Sequence, residues 1–231
     1  MPGTRTRELL PLTPERVGDL VGPCAPCTFW QTVPHNGHGD PADPLDLLAA
    51  WVEQVTADWG PPGRVAYVDG HAVGHVIVAP ARHVPRLAAF PTSPSDPATL
   101  MLVTAVTVDP GSALDGIVRG GKGLRKTLVQ AAAKEAMNHR ARSLDVVAAR
   151  PLAVHRHACV LEAQRLEEAG FRVERDHPTY PRLRIDLRTL VTLRDEAAEA
   201  VRRALARVPG VRPVPETHPN GSSHAHVTDR R

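Results

Sequence analysis

At 231 residues and 42% hydrophobic side chains, the chain is long enough to bury a core in one domain, and a formal charge of +3 is too small to argue for nucleic-acid binding. No run approaches a membrane span and "MPGTRTRELL" lacks the apolar centre of a signal peptide, so the reading is a soluble cytoplasmic protein without a membrane partner. Three cysteines are too few for a disulfide scaffold, and 3% aromatic residues with 23 prolines imply aliphatic strands divided by many loops.

In chain order, "TRELLPL" reads as a strand and "TPERVGDLVG" as a short helix with Thr13 as N-cap and Pro14 at its first position. A proline- and glycine-rich loop follows. "LDLLAAWVEQVTADWG" spaces Leu47, Leu48, Trp51, Val55 and Trp59 at helical intervals and stops at Gly60-Pro61. "RVAYVDGHAVGHVIVAP" is a hairpin turning at Asp69-Gly70, and "LMLVTAVTV" is the strongest central strand. After a glycine-rich loop, Leu124, Leu128, Val129, Ala132, Ala133, Ala136 and Met137 form one helical stripe. "SLDVVAA" is a strand, "ACVLEAQRLEEAGF" a helix closing on Gly170, and "FRVERD" and "RLRIDL" are antiparallel strands. "LRDEAAEAVRRALARV" is a last amphipathic helix. Its Arg202, Arg203 and Arg207 suit a sheet edge or a partner subunit, which leaves a homodimer open. The order describes one α/β domain over residues 1–210, followed by a polar tail over 211–231 that is expected to be disordered.

The stretch "GIVRGGKGLRKTLVQAAAKEA" carries the most chemistry. Gly116, Gly121 and Lys122 begin a Walker-type spacing, but Gly123 stands where a Ser or Thr hydroxyl would hold Mg²⁺. The G-x-G-x-x-G reading fails at Lys126, and the loop lies mid-chain instead of near the first strand. What remains is a helix N-terminus with exposed amides at Gly120, Gly121 and Gly123, and cations at Lys122, Arg125 and Lys126. Cations at that end oppose the helix dipole, by about 0.3–1 kcal/mol each, unless an anion sits between them. A pyrophosphate meets the requirement.

Read together, "VTAVTVDP…RGGKGLRKTLVQ" resembles the acetyl-CoA-binding motif of the GCN5-related N-acetyltransferases, and the order of elements over 5–190 is similar to that fold. "FW", "GRVAYVDG", "VPRLAAFPTSP" and "HPTYPRLRIDLRT" resemble an actinobacterial branch of that superfamily. The resemblance implies a central mixed, mostly antiparallel sheet flanked by helices, and transfer of an acetyl group from acetyl-CoA to a primary amine. The alternative is an acyl-CoA-binding module without turnover. It further implies that Val106 and Val108 offer backbone groups to the pantetheine arm. Arg119, Gly120, Gly121, Lys122, Gly123, Leu124 and Arg125 would then surround the pyrophosphate.

Catalytic groups follow less directly. The resemblance puts a tyrosine acid four residues before the "GF" glycine, where Leu166 stands here. Cys159 occupies a position where the family often has an asparagine against CoA, and it joins Tyr180 as a candidate donor of the proton to the leaving thiolate. His177 has a suitable intrinsic pKa but reads as a surface histidine. Cys24-Ala-Pro-Cys27 has zinc-knuckle spacing, and "HRHAC" (His155, His157 and Cys159) could in principle provide the two further ligands it needs. One such pair is weak without its partner pair, so structural zinc is not expected and no metal residue is assigned.

Overall fold

The computed structural model describes residues 7–22, 25, 27–33, 43–108 and 121–187, and at 121–123, 125 and 126 the backbone alone. The β-branched runs form the sheet, because a half-buried pleated surface suits their stiff side chains. Its strands are β1 (Arg7–Pro11), β2 (Gly63–Val68), β3 (His71–Pro80), β4 (Leu100–Thr107), β5 (Ser143–Ala149), β6 (Leu161–Glu162), β7 (Arg172–Arg175) and β8 (Arg182–Asp186). Among the described residues their order is β1-β2-β3-β4-β5-β8-β7, with β6 also paired to β5. Only the β4–β5 and β5–β6 pairings are parallel, so the sheet is mixed and mostly antiparallel, as expected.

The β2–β3 hairpin turns where the sequence predicts. Asp69 at φ +50° and Gly70 at φ +77° supply the two left-handed residues that a tight hairpin turn requires.

Among the described residues, three α-helices cover the sheet. α1 (Pro44–Asp58) starts with Asp43, whose carboxylate accepts the Leu45 N–H at 2.8 Å. α2 (Gly121–Asn138) carries the alanine stripe, and α3 (Ala163–Glu168) ends before Gly170, which sits at φ +100°. One sheet face packs Val76, Leu102 and Leu144 against Leu128 and Ala132 of α2, Leu166 of α3 and Phe171. The other packs Ile77, Met101, Val103 and Val147 with Trp51, Val52 and Val55 of α1 and with Trp30. Each fully buried aliphatic side chain contributes roughly 1.5–3 kcal/mol relative to exposure.

Two helices differ from expectation. Residues 158–162 are not helical. Val160 N–H closes a turn on the His157 carbonyl, and Leu161 and Glu162 pair with Ala148 and Ala149, so sheet pairing overrides local helix propensity there. The Pro14–Asp19 segment is a 3₁₀ helix whose Thr13 makes no side-chain cap bond. The Thr13 hydroxyl instead accepts from Arg16 at 3.4 Å. The glycine loop before Gly121, the last amphipathic helix and the tail at 211–231 lie outside the described residues.

Candidate functional site

The centre of the sheet is where the pairing fails. β3 pairs with β4 at Ile77↔Thr104 and at Val78↔Leu102, which leaves Val103 as an extra residue in a β-bulge. β4 meets β5 at a single pair, Met101↔Asp145, although β4 runs to Thr107 and β5 to Ala149. A bulge bends its strand, and past this one the C-terminal halves of β4 and β5 part. On β5, the amides of Ala148 and Arg150 bond the carbonyls of Pro181 and Thr179 on the β8 side. β6 therefore takes the opposite edge of Ala148 and Ala149, at the mouth of the gap.

Backbone direction in the gap corrects one sequence expectation. The Val108 N–H donates to the Val73 carbonyl at 3.0 Å, and Val106 is registered on His75. Antiparallel bonding alternates residue by residue, so Val106 and Val108 turn their backbone groups toward β3. Those of Ala105 and Thr107 face the gap. Val106 and Val108 therefore do not turn their backbone groups into the gap, because alternation is set by register, which a lone strand sequence does not carry.

α2 begins beside that strand end. A Cβ at Gly74, the residue paired with Thr107, would lie 3.0 Å from the Val106 carbonyl oxygen, 3.1 Å from Leu128 Cδ1 and 3.4 Å from Leu124 Cδ2. Only glycine admits so close an approach of the helix to β3. Gly121, Lys122, Gly123, Leu124 and Arg125 thus fall in the opening turns of α2, whose first amides have no intrahelical acceptor. Arg119 and Gly120 lie outside the described residues.

The opposite face of β4 holds two polar groups. His75 is 1% exposed, and its Nδ1 accepts the Val21 N–H at 3.2 Å. Burial alone pushes its pKa down to about 4, so the ring is neutral at pH 7 with its proton on Nε2. Gly22, at φ +78°, lies over Val106, and a Cβ there would meet Val106 Cγ1 at 2.7 Å. The Thr104 hydroxyl, on the residue after the bulge, is buried without a hydrogen-bond partner among the described residues. Sequence reading missed His75, although a lone histidine inside the apolar run "AVGHVIVAP" was a visible signal.

The remaining candidates separate. Leu166 is buried in the α2-side core and presents no proton. Cys159 is buried and disulfide-bonded, and a disulfide sulfur has no proton to donate, so in this state it cannot act as the acid. Tyr180 packs edge-on against Phe90 with ring centroids 5.1 Å apart, and β5 stands between its backbone and the gap. Asp145 is fully buried and held by Arg184 through two bonds of 2.7 and 3.0 Å, with Arg182 at 3.4 Å. That ion cluster ties β5 to β8. Near the gap mouth, Cys27, a free thiol, lies 3.9 Å from His157 Nε2. His155 is exposed and takes no part.

No family model and no curated protein matches the chain. Among solved structures, it is similar to the PaiA N-acetyltransferase of Thermoplasma acidophilum in complex with coenzyme A, at 12% identity and a TM-score of 0.47, over 78% of this chain and 99% of that one. A polyamine N-acetyltransferase of Drosophila melanogaster matches at 12% identity and 0.46, over 78% and 100% of the two chains. An aminoglycoside acetyltransferase AAC(6′)-Ib in complex with coenzyme A matches at 15% identity and 0.47, over 82% and 99%. The mixed, mostly antiparallel sheet flanked by helices, with a glycine-opened helix after the long central strand, is the arrangement that the sequence resemblance implies.

Proposed function

We propose that the chain binds acetyl-CoA in the gap between β4 and β5 and transfers the acetyl group to a primary amine. The observation that carries this reading is the parting of two parallel strands after one shared pair, directly beside the N-terminus of an 18-residue helix. The gap-facing amide and carbonyl groups of Ala105 and Thr107 suit an extended pantetheine arm, whose own amides complete the pairing as an added strand would. The opening amides of α2, with Lys122, Arg125 and Arg119, suit the pyrophosphate.

Transfer then needs only the amine, the thioester and an enclosed gap. The neutral amine attacks the thioester carbonyl, the C–S bond breaks as the C–N bond forms, and the amine's surplus proton ends on the departing sulfur. A thiolate is a good leaving group, which lessens the need for a strong acid. Thr104, whose buried hydroxyl lies at the bulge, is assigned the task of orienting a water in that proton path. Tyr180 keeps a place in the proposal only as a group lining the α1 side.

One observation favours a second reading, an acyl-CoA-binding module without turnover: the buried Leu166 fills the position where the resemblance puts an acid. A thiol-release assay with acetyl-CoA across a panel of primary amines separates the two. Release above the amine-free rate supports transfer. CoA binding without release for any amine supports the module.

A further inference from the structure

We infer that Cys27, His157 and Cys159 form a thiolate–imidazole site for a zinc-class divalent ion when the cysteines are reduced. One ligand atom from each of the three lies within 4.8 Å of the others. That span matches the edges of a small coordination polyhedron, since Zn–S bonds of about 2.3 Å and Zn–N bonds of about 2.0–2.1 Å place neighbouring ligands roughly 3.5–4 Å apart. The three residues come from two loops that the fold holds side by side. Trp30 Nε1 donates to the Cys159 carbonyl at 3.2 Å, and the Phe29 ring stacks on His157 with centroids 4.1 Å apart.

The surroundings suit a thiolate ligand. The Phe29 N–H donates to Cys27 Sγ at 3.3 Å, a bond that stabilises negative charge on sulfur. His157 is exposed, so an ion can reach it, while Cys159 is buried and anchors the inner side. Two thiolates and an imidazole form a soft donor set that selects zinc over magnesium or calcium. The fourth position is open to a water molecule or a further thiolate.

Two changes separate the described state from the ligated one. Cys159 is disulfide-bonded, so a dithiol or phosphine reductant must first deliver two electrons to the S–S bond, and two protons then complete two thiols. The ion displaces the thiol protons of Cys27 and Cys159. His157 Nδ1 now accepts the Cys159 N–H at 3.2 Å, which leaves the proton on Nε2. Ligation through Nε2 moves that proton to Nδ1, so the Cys159 N–H gives up its bond to that nitrogen.

The test uses the full chain, reduced with a phosphine under anaerobic conditions and titrated with Co²⁺ and then Zn²⁺. The expected result is one ion per chain, with sulfur-to-cobalt charge-transfer bands in the near ultraviolet that Zn²⁺ removes by displacement. Cys27→Ser and His157→Ala should each weaken binding by at least about tenfold. To keep the test independent of whether either variant folds, the wild-type protein is also alkylated with iodoacetamide with and without Zn²⁺. Zinc should slow labelling of both Cys27 and Cys159. The inference is overturned by the lack of stoichiometric binding to the reduced chain, by full affinity in both variants, or by equal labelling with and without zinc.

Discussion

His75 permits a worked prediction because burial alone shifts it. Its pKa is near 4 in the folded chain against 6.5 when exposed, a difference worth about 3 kcal/mol at 1.36 kcal/mol per pKa unit. The sign follows from proton counts. Between pH 6.5 and 4 the unfolded chain binds a proton that the folded chain excludes, so stability rises with pH across that window. The contribution is fully present above pH 6.5, falls with acidification, and is gone below about pH 4. Between pH 7 and pH 5 it amounts to about 2 kcal/mol. Other groups titrate too, so the informative quantity is a difference between two proteins. His75→Gln keeps an acceptor for the Val21 N–H but cannot ionise. Urea unfolding followed by circular dichroism should show the wild type losing about 2 kcal/mol more than this variant on going from pH 7 to pH 5. Parallel stability profiles for the two proteins would refute the reasoning, because His75 would then be protonated in place or exposed.

Other outcomes follow from the same geometry. Gly74→Leu should push α2 away from the end of β4, costing roughly 1–3 kcal/mol of stability by overpacking and weakening CoA binding by a larger factor than Leu128→Ile does, as read by denaturation and calorimetry. Asp145→Ala should cost about 3–5 kcal/mol in urea unfolding, because it leaves two arginines facing an empty carboxylate site. Thr104→Val removes a buried hydroxyl that has no partner and should raise stability by up to about 1–3 kcal/mol while lowering thiol release. A destabilised Thr104→Val protein would show that the hydroxyl is satisfied in solution.

Much of the architecture was legible because hydrophobic period and turn chemistry act locally. The Asp69-Gly70 hairpin, the central strand and the Leu124–Leu128 stripe each follow from a few adjacent residues. What escaped depends on neighbours distant in sequence. Residues 158–162 have helical propensity but pair with β5. The choice between Val106 and Ala105 as gap-facing groups depends on register with β3. Cys159 and His157 could be named as possible partners of the Cys24–Cys27 pair, but only the fold sets Cys27 within reach of both. The sequence carries the expectation of an anion at the glycine-opened helix, but the helix's position against β4 depends on Gly74, a residue 47 positions before Gly121 that no local pattern singles out.

Calorimetric titration of CoA into the wild-type chain and into Gly121→Asp asks what occupies the gap between β4 and β5. One CoA per chain is expected, with affinity reduced roughly ten- to hundredfold in the variant, where a carboxylate would meet the pyrophosphate at the helix N-terminus. No binding to the wild-type chain, or equal affinity in the two proteins, would contradict it.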